Sequence, residues 1–112
     1  MKIYHNPRCS KSRSALQILE EKGVDVEIVK YLEDTPTKAD LQDLLKKLGL
    51  KAEEIVRKGE QVYKDNFKGK SLNDDEWIDA FLIYPKLIER PIFINGDKAV
   101  VGRPPENVLD IL

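Results

Sequence analysis

Pro91-Ile92-Phe93-Ile94-Asn95-Gly96-Asp97-Lys98-Ala99-Val100-Val101 is the most decisive local signal in the chain. Two short apolar runs flank an Asn-Gly turn, which predicts a β-hairpin. Downstream of it, Gly102 is followed by Pro104-Pro105, which could open a final helix through Leu112. Upstream, Asn73 with Glu76 marks a helix start, Trp77, Ile78, Phe81 and Leu82 give that helix an apolar face, and Pro85 limits it. Thr37 with Asp40 forms a second capping signature. Leu41, Leu44, Leu45 and Leu48 follow on one helical face, and Gly49 closes that helix. Between them, Lys51 to Gly69 reads as one or two short helices. At the N-terminus, Met1–His5 predicts a strand that Pro7 ends. Ser10–Lys22 predicts a helix with Ala15, Leu16 and Leu19 facing inward and Gly23 at its C-terminus. Val24–Val29 alternates apolar and polar residues as a second strand.

The order is therefore β-α-β, a helical stretch, β-β, α. A crossover helix makes the first two strands parallel, and the hairpin makes the last two antiparallel. One mixed four-stranded sheet with helices on its faces satisfies this order. It predicts a thioredoxin-like α/β fold, with the stretch from about residue 37 to 84 as an inserted helical subdomain. The 112 residues are expected to form a single domain. Charged residues make up 35% of the chain, but 19 basic against 20 acidic leave a net charge of −1. That balance excludes a general nucleic-acid binder and a polybasic membrane-surface protein. No apolar run approaches the roughly 18–20 residues of a membrane helix, and Met1–Pro7 has no signal-peptide h-region. A cytoplasmic monomer is the expectation. Cys9 is the only cysteine, so no intramolecular disulfide can form. Cys9 and His5 supply two of the usual four zinc ligands, so no metal is expected.

Cys9 lies where a loop meets the start of a helix. First-turn N–H groups have no intrahelical partner there, and the aligned peptide dipoles add positive potential. Both favour a thiolate, and cysteines so placed titrate at roughly 3.5–7.5. The same amides form an anion site, so a tetrahedral oxyanion could sit against the sulfur. Ser10 and Ser12 add hydroxyl donors, while Arg8, Lys11 and Arg13 add positive charge with no carboxylate between Arg8 and Arg13. A phosphatase-type Cys-x5-Arg loop is absent, because Ala15 stands where the arginine would be. A Cys-x-x-Cys dithiol is absent too, because Ser12 stands at its fourth position. Monothiol exchange, with the second thiol supplied by another molecule, stays open.

His5-Asn6-Pro7-Arg8-Cys9-Ser10-Lys11-Ser12-Arg13 resembles the active-site loop of the glutaredoxin-coupled arsenate reductases of the ArsC family, which reads His-Asn-Pro-x-Cys-x-x-Ser-Arg. Three further segments are similar in order and spacing. Val56-Arg57-Lys58 resembles the family's Leu-Arg-Lys, Glu89-Arg90-Pro91-Ile92 its Arg-Pro-Ile, and Gly102-Arg103-Pro104 its later Arg-Pro. The resemblance covers essentially the whole chain. It implies that Cys9 attacks arsenate to form a thiol–arsenate adduct, that glutathione attacks the adduct, and that glutaredoxin releases arsenite. It implies that Arg57, Arg90 and Arg103 hold the oxyanion, that Ser12 helps keep Cys9 ionised, and that His5 tunes the site. Asn6, Arg13 and Pro91 would support it, with Pro91 after a cis peptide bond. No bound cofactor is implied; glutathione is a co-substrate. Three guanidiniums suit an anion that carries, like phosphate, about −1.5 to −2 charges at neutral pH.

Each residue also has a plainer reading. Arg57 could belong to a solvated helical face, Arg90 could pair with Glu89, and Arg103 with Glu106. His5 could be a neutral buried side chain, and Ser12 a first-turn hydroxyl. Short relatives with this loop lie near the Spx-type regulators, which bind RNA polymerase and sense oxidants through Cys-x-x-Cys; Ser12 removes that pair here. A regulator of that kind, a monothiol oxidoreductase acting on glutathionylated thiols, and a reductase of a related oxyanion are the alternatives.

Overall fold

The computed structural model describes residues 1–112. The chain divides into two compact units: Met1–Asp34 with Arg90–Leu112, and Thr35–Glu89.

The first unit carries a mixed four-stranded sheet in the order β2-β1-β3-β4. Strand β1 (Lys2–Tyr4) leads through helix α1 (Ser10–Glu21) to the parallel strand β2 (Glu27–Val29). Strands β3 (Ile92–Asn95) and β4 (Lys98–Val101) form the hairpin. β1 also pairs antiparallel with β3, Tyr4 opposite Ile92, which joins the two halves into one sheet. This is the thioredoxin-like α/β arrangement that the element order predicts.

Three details differ from expectation. Only Glu27–Val29 of the Val24–Val29 segment is a strand. Its sole neighbour is β1, whose pairing starts with Lys2 opposite Glu27, so the ladder begins there. The hairpin turn sits one residue later than the Asn-Gly pair suggests. Asn95 pairs with Lys98, leaving Gly96-Asp97 as the loop, and Gly96 alone adopts positive φ (63°), as the first position of a II′ turn requires. Finally, Pro105–Ile111 winds as a 3-10 helix.

The core of this unit is Ile3, Ala15, Leu19, Phe93 and Val108, all fully buried. Ala15 and Leu19 are the inward face that the helical periodicity predicts. Phe93 and Ile3 lie opposite one another on β3 and β1.

The second unit is helical: α2 (Lys38–Leu48), α3 (Gln61–Asn66) and α4 (Asp74–Ile83), with 3-10 turns at Ala52–Ile55 and Pro85–Leu87. Both predicted capping boxes form. Thr37 Oγ1 accepts from the Asp40 N–H while Asp40 accepts from the Thr37 N–H, and Asn73 and Glu76 do the same. Gly49 ends α2 in the left-handed conformation (φ 66°), where a side chain would be strained. Buried Leu41, Leu44, Leu45, Trp77, Ile78 and Phe81 are interior residues of this unit, and the Trp77 ring contacts those of Tyr63, Phe67 and Phe81. No helix of the chain is long and apolar enough to cross a membrane.

Candidate active site

The first unit gathers its chemistry at one end of the sheet. β1 and β2 run parallel and end there, and antiparallel β3 begins there. The His5 N–H donates to the Val29 carbonyl at 2.9 Å, extending the β1–β2 pairing to the edge of the loop. The chain then folds tightly. The Asn6 Oδ1 accepts from the Arg8 N–H at 3.0 Å, and the Asn6 carbonyl accepts from the Cys9 N–H at 3.0 Å. Asn6 thus shapes the loop with both its side chain and its backbone. Arg13 closes it from the helix side, its Nη1 donating to the Pro7 carbonyl at 2.8 Å.

Cys9 is the residue that caps α1. Its backbone is extended (φ −92°, ψ 122°), its carbonyl accepts the first helical bond from Arg13, and no side chain caps the helix. The free first-turn amides are therefore available to the sulfur. Burial alone would push the half-buried Cys9 thiol up. The Ser12 N–H, the Arg90 guanidinium and the Lys11 N–H more than offset this, and the thiol is held below its ordinary range. The Arg103 Nη2 stands 3.6 Å from the same sulfur.

Ser12 favours the thiolate through its backbone N–H, not through the hydroxyl donor that the sequence suggests. The Ser12 hydroxyl is fully buried and engaged elsewhere. It accepts from the Asn6 N–H at 3.0 Å and lies 2.6 Å from His5 Nδ1. His5 is itself buried. Burial, with the charges of Lys30 and Arg13, holds its pKa below the usual histidine value and favours the neutral ring. A neutral imidazole and a hydroxyl thus brace the loop from beneath.

Arg90 and Arg103 come from the two ends of the hairpin. Each precedes a proline through a cis peptide bond, at Arg90–Pro91 and at Arg103–Pro104. The two segments are tied together. The Arg103 Nε donates to the Arg90 carbonyl at 2.7 Å, and the Gly102 N–H donates to the Pro91 carbonyl at 2.8 Å. Arg57 lies in the other unit. Its Nη1 donates to Glu89 at 2.9 Å and its Nε to Glu60 at 3.4 Å.

A model of the ArsC family matches residues 4–111. The chain belongs to the ArsC family. Among its ArsC-family relatives, the Escherichia coli (strain K12) protein YfgD is 51% identical over 100% of this chain and 96% of that protein. A Neisseria meningitidis serogroup B protein named arsenate reductase is 45% identical over 100% of this chain and 97% of that protein. The solved structure of arsenate reductase from Vibrio cholerae superposes with a TM-score of 0.94 at 46% identity, covering 100% of this chain and 98% of that one.

In this ArsC-family chain two contributors escaped the sequence reading. Lys30 acts on His5, and fully buried Tyr31 acts on Arg90. Both directly follow β2, and only the parallel pairing of β2 with β1 carries them to the end of the sheet where the loop begins. No motif marks them.

Proposed function

We propose that this chain is an arsenate reductase in which Cys9 is the nucleophile and Arg90 and Arg103 clamp the oxyanion. The observation that carries the reading is the setting of the Cys9 sulfur. The Arg103 Nη2 stands 3.6 Å from it, and the Ser12 N–H, the Arg90 guanidinium and the Lys11 N–H favour its thiolate form. Donors that hold a thiolate also suit the oxygens of a tetrahedral dianion, and planar guanidiniums offer it paired N–H groups.

In the proposed reaction the Cys9 thiolate attacks arsenic and displaces one oxygen, which leaves as water after protonation. A thiol–arsenate adduct results. Glutathione attacks the adduct, and glutaredoxin supplies the second thiol. The two electrons that reduce As(V) to As(III) come from these two external thiols, which leave as a disulfide, and Cys9 returns as the thiolate. The balance is arsenate plus two thiols giving arsenite, one disulfide and water. The chain has only Cys9, so it cannot supply the second thiol itself. His5, Ser12, Asn6 and Arg13 hold the loop, and Pro91 holds the start of β3. Arg57 enters the proposal through its family register alone, and its own substitution tests it.

The test is arsenate-dependent NADPH oxidation in the presence of glutathione, glutathione reductase and glutaredoxin. Turnover is expected in wild type, none in Cys9→Ser, and a sharp fall in Arg90→Ala. Full turnover in Cys9→Ser, or none in a folded wild type with a reactive thiol, overturns the reading.

A further inference from the structure

Tyr31 is fully buried although it lies in a turn just beyond β2. The turn is fixed, because the Lys30 carbonyl accepts from the N–H groups of Glu33 (2.9 Å) and Asp34 (2.8 Å). The Tyr31 ring packs against that of Tyr4, with centroids 6.3 Å apart. Tyr4 is the last residue of β1 and stands opposite Ile92, the first of β3. Two residues before Ile92 is Arg90. The sheet therefore delivers Tyr31, the start of the Cys9 loop and Arg90 to the same end. A phenol buried this deeply needs a polar neighbour for its hydroxyl. The Arg90 guanidinium is carried to the same end of the sheet: burial opposes its charge, and Tyr31 and Cys9 together favour it.

We propose that Tyr31 is a positioning residue, whose buried hydroxyl orients the Arg90 guanidinium so that one N–H edge of it meets the Cys9 sulfur and the incoming oxyanion. A guanidinium on a long, rotatable stem costs conformational entropy to immobilise. A rigid aromatic held by β1 orients it before substrate arrives, as a supporting shell does for a catalytic group. Tyr31 touches neither the sulfur nor the substrate and acts only through Arg90.

The inference rests on the reductase reading for its arsenate readout only. Tyr31→Phe removes one oxygen and keeps the ring packing. Loss of the polar group that orients Arg90 is expected to lower kcat/KM for arsenate about tenfold. It is also expected to raise the pH midpoint of Cys9 alkylation by iodoacetamide, a measurement that needs no arsenate. In the Arg90→Ala background the same change should have no further effect on either quantity, because the group it acts through is gone. Wild-type values in Tyr31→Phe, or equal and additive losses in the double variant, overturn the inference. If Tyr31→Phe fails to fold, the wild-type fold still decides. The Tyr31 Cζ resonance should shift in Arg90→Ala and stay in place in Arg57→Ala, and an unmoved resonance in Arg90→Ala overturns it. Absence of wild-type turnover defeats the reductase reading, while alkylation and the Cζ shift still judge Tyr31.

Discussion

Arg103 is anchored on the backbone of Arg90: its Nε donates to the Arg90 carbonyl at 2.7 Å, while Nη2 of the same guanidinium stands 3.6 Å from the Cys9 sulfur. One planar group thus bridges the backbone at β3 and the nucleophile. A lysine offers its donors from one nitrogen on a flexible stem and cannot reproduce this rigid two-point geometry.

Arg103→Lys is therefore expected to behave much like Arg103→Ala in spite of its retained charge. Both should lose roughly ten- to a hundredfold in kcat/KM for arsenate, as for a charge-assisted hydrogen bond removed from a bound anion. Steady-state titration with arsenate checks this. A lysine variant with wild-type kinetics would show that charge alone is what Arg103 provides.

Cys9 titrates lower in the folded protein than in the unfolded chain. Between the lowered value and the unfolded value of about 8.5, the unfolded state binds more protons, so stability rises with pH across that window. The contribution is complete above the unfolded value and is lost as pH falls through the folded one. Urea unfolding of wild type and Cys9→Ser at several pH values should show a stability difference that moves in favour of wild type as pH rises. A difference constant with pH would refute the thiolate.

His5 is also depressed, by burial first and then by Lys30 and Arg13. The sign is the same: its neutral form is stabilising, the contribution is complete above about 6.5, and it is lost as pH falls through the lowered folded value. His5→Gln should flatten the acid side of the stability profile. Thermal melts across the acid range report this directly.

Ser12→Ala leaves the buried Asn6 N–H without its acceptor. The expected cost is about 1–3 kcal/mol of stability. Because the Ser12 hydroxyl is engaged with Asn6 and His5 and it is the Ser12 N–H that favours the thiolate, Cys9 alkylation should shift less in Ser12→Ala than in Arg90→Ala. Denaturant midpoints and alkylation rates measured on the same samples separate the two effects.

Gly102→Ala places a Cβ 2.8 Å from Pro91 Cγ and 3.5 Å from Val108 Cγ1. A proline ring beside a sheet has little room to yield, so overpacking of about 1–3 kcal/mol is expected. The displaced groups neighbour both Arg90 and Arg103 in the chain, so arsenate KM should rise along with the loss in melting temperature. An unchanged KM would show that the ring moves without carrying the arginines.

Local signals carried the sheet and the helix ends because they are local in origin. The Thr37–Asp40 and Asn73–Glu76 boxes, Gly49 and the hairpin each satisfy backbone groups within a few residues. The length of β2 was not legible, since it depends on where β1 begins, some 25 residues earlier by the pairing of Lys2 with Glu27. At the site, the Cys9 loop and the Arg90 and Arg103 segments stand out as motifs. Which atom of Ser12 meets the sulfur did not, because a helix start offers both a hydroxyl and an amide. Tyr31 was invisible for a related reason. An aromatic after a strand is ordinarily core, and only the three-dimensional return of β3 beside β1 carries Arg90 to the same end of the sheet.

The bare start of α1 has a spectroscopic consequence. The N–H groups of Lys11 and Ser12 favour the Cys9 thiolate, and no side chain caps this helix. Their exchange with deuterium should therefore follow the chemical state of the sulfur: slow over the thiolate, faster over the thiol, and different again once the sulfur carries arsenic or a glutathionyl group. Two backbone protons would then record, residue by residue and without any chromophore, which stage of its cycle the molecule occupies.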